Sequence, residues 1–350
     1  MSSLPPPAPP GFTDHAIPST PLSIRVWPAP TSPSPLPILF LTHGGGAIGG
    51  NHFAPPPWIV PAFGGRYHLV SHSYRLAPQA RLDTQLEDCL TAVAWTRANL
   101  GGLLGEGRVD GERYVLCGGS AGGLLVALMG LRLEVAPRAV VNVYGLVDWV
   151  SVQALDREGE AGWEGEFGRE ELEAYLLNRE VGETLTEALF WDEKDVVGHV
   201  ELSERWGADV RYTKRLRLQA ELHVYRSLHP QGVDRLIKTA MHPETFADEA
   251  ALEEFILSMS PVHVLRKRLE GGRVDYPPMA FLHGTGDVAV PVQQSYDMAA
   301  ILKEMGVPVV EAYEEGEPHV FDNKYTGPDV PGWGTYIQPI VDFVDHHVGQ

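Results

Sequence analysis

The chain has 350 residues, 44% of them hydrophobic, with 27 Lys and Arg against 46 Asp and Glu, a formal charge of −19. This balance supports a sizeable core, argues against general disorder, and disfavours nucleic acid and anionic membrane surfaces as partners. Two cysteines, Cys89 and Cys117, are too few for a disulfide framework and point to a reducing compartment.

The first residues, MSSLPPPAPPGF, carry neither a basic start nor an apolar run, and no segment nears the roughly 18 apolar residues of a membrane span. A cytoplasmic protein with no membrane span is expected. Proline at residues 1–20 and 28–37 blocks helix and central strand, so an extended arm should flank a short strand at 22–27. Apolar runs at 37–41 and 68–73 then read as strands covered on both faces. A helix over 84–99 follows, with Leu86, Cys89, Leu90, Val93 and Ala94 on one side. Next come a strand at 113–117, a helix at 121–133 and a strand at 139–143.

From about 150 to 270 the alternation stops, and the composition reads as helices without a convincing strand. It resumes with a strand at 279–282, a helix at 292–305, a strand at 307–313 and a helix near 335–347. Strands alternating with helices imply a mostly parallel sheet. The expected organisation is a proline-rich arm (1–20), an α/β core (21–150 and 271–350) and a helical cap insertion (151–270). Such an insertion lies over the carboxyl ends of the strands, where α/β sheets bind ligands.

Chemistry concentrates at the strand ends. Gly118-Gly119-Ser120-Ala121-Gly122 is a G-x-S-x-G pattern between a strand and a helix. There the serine sits on a strained turn, and the flanking glycines let strand and helix close around it. Taken alone, the same residues also suit a tight strand-to-helix turn or a phosphate loop. His43-Gly44-Gly45-Gly46 directly follows another strand, and its serial glycines can aim N–H groups at a developing oxyanion. The expected donors are the N–H groups of Gly45, Gly46 and Ala121. His43 itself reads as a brace for this loop.

Asp287 and His319 each stand just past a later strand, and the order Ser, Asp, His suits a nucleophile, an orienting acid and a base. Singly, Asp287 also suits a helix N-cap and His319 an ordinary surface histidine. Trp58 is a candidate for the substrate pocket. Trp163, Trp191 and Trp206 either line a pocket under the cap or pack its helices. His346-His347 diverge too far around a helix to share a metal.

Together with "YRLAP" at 74–78, "GGSAGG" at 118–123, "HGTGDVAVP" and "PHVF", these residues give the chain its resemblance to the hormone-sensitive-lipase-like carboxylesterases with an HGGG loop, within the α/β-hydrolase fold. The resemblance covers roughly 22–150 and 275–347. It implies a serine hydrolase with Ser120, Asp287 and His319 as triad, an acyl-enzyme intermediate, a small-molecule ester substrate, and neither metal nor organic cofactor. The chain departs from its relatives at Gly119 and Ser73, where the family usually has Asp, and at Gln79, where it usually has Glu. Two further readings stay open. One is the same triad acting on a lactone, thioester or amide, or in a non-hydrolytic step on a natural-product intermediate; the other is a non-catalytic small-molecule receptor. Substrate and oligomeric state are not written in the sequence.

Overall fold

A computed structural model describes residues 6–159, 162–188, 199–209, 213–273 and 275–349. Trp191 lies outside them. Eight strands form one sheet: β1 (Thr13–Ala16), β2 (Ser23–Trp27), β3 (Leu36–Thr42), β4 (His68–His72), β5 (Val109–Gly119), β6 (Ala139–Val143), β7 (Met279–Gly284) and β8 (Val309–Glu314). Their order is β1-β2-β4-β3-β5-β6-β7-β8, antiparallel at β1–β2 and β2–β4 and parallel from β4 to β8. This is an α/β-hydrolase fold with a mostly parallel sheet.

The continuous apolar runs follow from burial on both faces. In β3, Ile38 and Phe40 enter one core cluster while Leu39 and Leu41 enter the other; Tyr114 and Leu116 of β5 split from Val115 and Cys117 in the same way. Helices Leu82–Leu104, Ala121–Arg132 and Gln293–Glu304 cover one face, and Gln338–Gly349 packs on the other.

Elements are longer than their apolar signal predicts. The helix expected at 84–99 runs over Leu82–Leu104 and β5 over Val109–Gly119, because amphipathic and polar ends continue the hydrogen-bond pattern after the core-facing residues stop. β1 was not expected: Thr13–Ala16 is a mostly exposed edge strand with no apolar alternation, held by pairing to β2. Between 149 and 270 the described elements are helical, including Arg169–Leu176, Lys214–Leu228 and Gly232–Met241; an isolated bridge joins Gly50 to Ala188. The last helix of this stretch, Pro261–Glu270, packs on Ala121–Arg132 and Gln293–Glu304 in the layer that flanks the sheet. The arm reaches the helical side as well. Trp206 Nε1 donates to the Pro6 carbonyl (3.1 Å), and the Ala8 N–H donates to the Arg205 carbonyl (3.0 Å). Among the described residues no helix is long and apolar enough to cross a membrane.

Candidate active site

Ser120 ends β5 and begins the helix Ala121–Arg132, with φ +54° and ψ −122°. A side chain rarely adopts this left-handed backbone, and here the packing around the turn enforces it. A methyl group at Gly122 would collide with the carbonyl oxygens of Thr42 and His43, the latter at 2.6 Å. One at Gly123 would come within 2.6 Å of Gly145 Cα, and one at Gly44 within 2.7 Å of the Gly119 carbonyl. The glycines therefore hold the serine turn and the 43–46 loop in direct contact. Ala47, Tyr144 and Val320 also have positive φ and, like Ser120, line the same cavity.

The Ser120 hydroxyl donates to His319 Nε2 (3.0 Å), and His319 Nδ1–H donates to Asp287 Oδ2 (2.6 Å). The carboxylate can only accept, so the imidazole is held in the tautomer that leaves Nε2 free to take the serine proton. Asp287 stands after β7 and His319 after β8, so the sheet brings together three residues far apart in the chain. Asp287 Oδ1 also accepts from the N–H groups of Ala289 (2.8 Å) and Val290 (2.9 Å), which makes the carboxylate a turn cap as well as the partner of His319. Burial pushes this carboxyl up, but hydrogen bonds from His283, His319 and the Val290 amide outweigh it and hold it well below the usual carboxylate range.

Sequence reasoning missed His283. It is fully buried on β7, and its Nε2 contacts Asp287 Oδ2 (3.2 Å) and donates to the Val290 carbonyl (2.9 Å), while Nδ1 accepts from the Ser295 hydroxyl (2.8 Å). The signal was its position four residues before Asp287 in "HGTGD".

The 43–46 loop lies beside the serine. Gly45 and Gly46 have φ of +117° and +58°, and among the described residues neither N–H has an acceptor. Both glycines line the cavity together with Ala121 at the helix N-terminus, so their amides are available to an anion. His319, not His43, is hydrogen-bonded to the Ser120 hydroxyl. His43 accepts a stacked Tyr74 ring (4.2 Å), its Nδ1 contacts the Gly44 carbonyl (2.8 Å), and burial lowers its pKa to about 3. It is a neutral brace, and Tyr74 of the YRLAP stretch fixes it further by donating to the His43 carbonyl (2.9 Å).

Trp58 requires a correction. It is fully buried and does not line the cavity; its Nε1 donates to Asp322 Oδ2 (2.9 Å), while the Tyr144 hydroxyl donates to Asp322 Oδ1 (2.8 Å). The Tyr144 ring packs on His319 (4.6 Å between centroids), so Trp58 and Asp322 support the His319 ring from behind. Burial raises the Asp322 carboxyl against the two hydrogen bonds it accepts. Tyr144 also lies 3.4 Å from where a Cβ on Gly119 would sit, in the space next to Ser120. Of the tryptophans in the helical stretch, Trp149 and Trp206 line the cavity. Trp163 packs edge-on against Tyr225 (5.3 Å) among the helices.

The cavity holds about 960 Å³ and is bounded below by the strand ends and above by the helices of 149–241. A hydroxyl, an imidazole and a carboxylate in series beside two unsatisfied amides can attack a carbonyl, hold the oxyanion and return a proton. That site on this sheet defines the hydrolase class of the fold. The sequence pattern of the alpha/beta hydrolase fold matches residues 39–220, and the chain belongs to that family as a hormone-sensitive-lipase-like member. A pattern of the prolyl oligopeptidase family also matches 236–349.

Among relatives, the chain is 29% identical to the non-reducing polyketide synthase Preu6 of Preussia isomera over 349 residues, covering 95% of this chain and 14% of that protein. It is 32% identical to the hormone-sensitive lipase of Homo sapiens over 114 residues, 31% of this chain and 10% of that one. The chain thus spans a small fraction of the curated relatives' length. Among solved structures, a fungal esterase of Rhizomucor miehei aligns with a TM-score of 0.58 at 18% identity, covering 97% of this chain and 83% of the other, a likeness of fold.

Proposed function

We propose that the chain is a carboxylic ester hydrolase in which Ser120 is the nucleophile, His319 the general base and acid, and Asp287 the group that orients and stabilises the imidazolium. The observation that carries this reading is the unbroken series Ser120 Oγ–His319 Nε2–Asp287 Oδ2, at 3.0 and 2.6 Å. Ser120 Oγ attacks the carbonyl carbon as its proton passes to His319. The N–H groups of Gly45, Gly46 and Ala121 bind the resulting oxyanion. Collapse expels the alcohol, which takes the proton from His319 and leaves an acyl-Ser120; water, deprotonated by His319, then attacks the acyl carbon, and His319 returns that proton to Ser120 Oγ as the acid leaves. Within 151–270, the helices up to Met241 act as the cap that shapes the substrate pocket.

A 4-nitrophenyl ester panel, with fluorophosphonate labelling located by mass spectrometry, tests the reading. Turnover and labelling at Ser120 are expected, and both should vanish in Ser120→Ala. A folded protein that is neither labelled nor active on any ester would instead be a receptor.

A second reading concerns the substrate. Similarity along the whole chain, 95%, 91% and 91% of it, falls on polyketide-forming synthases or a related phenone synthase, whereas simple esterases match about a third. This favours an acyl group of polyketide type, presented as an oxygen ester or a thioester. Comparing the two leaving groups on one acyl chain separates them.

A further inference from the structure

Among the described residues of the cap, Arg157 and Arg226 line the cavity, and Arg226 is the one held against the glycine loop. The helix Lys214–Leu228 docks on the glycine loop through Gln219, which is fully buried. Its Nε2 donates to the carbonyls of Ile48 (2.6 Å) and Ala77, and its Oε1 accepts from the Tyr175 hydroxyl (2.7 Å). His223 and Arg226 follow four and seven residues later, on the same face of the helix. They descend onto Gly46. A Cβ there would lie 2.9 Å from Arg226 Nη2 and 3.2 Å from His223 Cε1. Both residues line the cavity that contains Ser120 and His319.

Arg226 is poorly satisfied where it stands. Its Nη2 donates to the Ser227 hydroxyl (3.2 Å), its Nε is shut off from solvent without a hydrogen-bond partner, and among the described residues no carboxylate pairs with it. Burial lowers its pKa to about 10, which leaves it protonated at neutral pH, and the same burial together with Arg226 keeps His223 neutral. The acidic groups of the cavity wall are engaged elsewhere. Asp322 accepts from Tyr144 and Trp58, and Asp156 accepts from the N–H groups of Val233 and Asp234 (both 2.8 Å); Glu158 is exposed at the rim, next to Arg157. A half-buried guanidinium that lines the cavity without a carboxylate partner among the described residues is placed to take an anion from a ligand.

We propose that Arg226 is the specificity residue for an anionic acyl group: the substrate carries a carboxylate a few carbons from the reacting carbonyl, and the guanidinium fork binds it above the glycine loop. This rests on the ester-hydrolase reading and sharpens it to half-esters of dicarboxylic acids and acyl groups of the same charge pattern. A planar fork with several donors suits a carboxylate better than a point charge would.

The test compares the 4-nitrophenyl half-ester of glutaric acid with 4-nitrophenyl valerate, which has the same chain length without the charge. The ratio of their kcat/KM values should fall about 10- to 100-fold in Arg226→Met, the range of a charge-assisted pair, and by less in Arg226→Lys, which keeps the charge. Equal loss on both esters in Arg226→Met would overturn the proposal and place Arg226 with the oxyanion donors or the scaffold. An unchanged ratio would overturn it too.

A second readout does not need turnover. Line broadening of monomethyl glutarate by Ser120→Ala protein should be lost in the Ser120→Ala/Arg226→Met double variant, and broadening that survives unchanged would count against the site. Failure of the hydrolase reading looks different: no Ser120 labelling and no valerate turnover in the wild type.

Discussion

The floor and the roof of the cavity are built by different means. Below, Ser120, Asp287, His319 and the glycine loop hang on strand ends, and backbone contacts at Gly44, Gly122 and Gly123 leave no room for a side chain. Above, the roof offers side chains from one face of a helix, Arg226 at the end of a long flexible chain among them, and a tryptophan tied to the N-terminal arm. The difference teaches where chemistry and selection reside. Distances that must be kept within fractions of an ångström are set by the main chain, while contacts that choose a substrate are set by rotatable groups.

Substitutions can break this contrast or sharpen it. On the floor, Ser120→Ala should remove about 10⁶ of kcat, read in steady-state ester hydrolysis, with substrate binding preserved. Asp287→Asn should cost about 10⁴ by releasing the imidazole tautomer. It also carries a pH signature. The Asp287 carboxyl is depressed in the fold, so its contribution to stability is fully present above the unfolded value near 4 and fades as pH falls through the folded value. Melting temperatures of wild type and Asp287→Asn should therefore differ at neutral pH and converge as the medium is acidified below about pH 4.

Gly122→Ala tests the backbone contact itself. It should destabilise the protein by about 3 kcal/mol in denaturant titration and slow acylation, since the Thr42 and His43 carbonyls must move. The smallest effect belongs to the roof: Leu236→Ala should shift the preferred acyl length with at most about a tenfold change in kcat/KM on any one ester. A floor-sized loss from Leu236→Ala would erase the distinction.

The floor was legible in the sequence, and the roof was not. Glycine spacing around Ser120 signals a backbone approach that nothing else permits, and apolar runs such as 37–41 and 139–143 have few alternatives to a buried strand. Asp287 and His319 follow from chain order once the serine is assigned. Arg226 gave no such signal, because "KRLRLQAELHVYRSL" reads as a solvated charged helix until Gln219 is seen docked on the Ile48 and Ala77 carbonyls. Trp58 was misplaced for a related reason: an indole near a glycine loop suits a pocket wall and a buried donor equally, and only the distant Asp322 decides which. Gly119 remains informative. The aspartate that the family resemblance leads one to expect is absent there, and the Tyr144 ring stands close to the space it would enter.

The collision that Gly122 avoids has a consequence for how such a protein can change over generations. Because the Ser120 turn and the 43–46 loop share one van der Waals boundary, neither can drift without the other, and mutations that shift one against the other are removed as folding defects. The helix above is tied to the loop chiefly through the side chain of Gln219, and its other cavity-facing positions are not fixed by main-chain contact. A lineage can exchange its substrate by rewriting a few residues on one helical face, while the attacking oxygen and the waiting amides stay as they were.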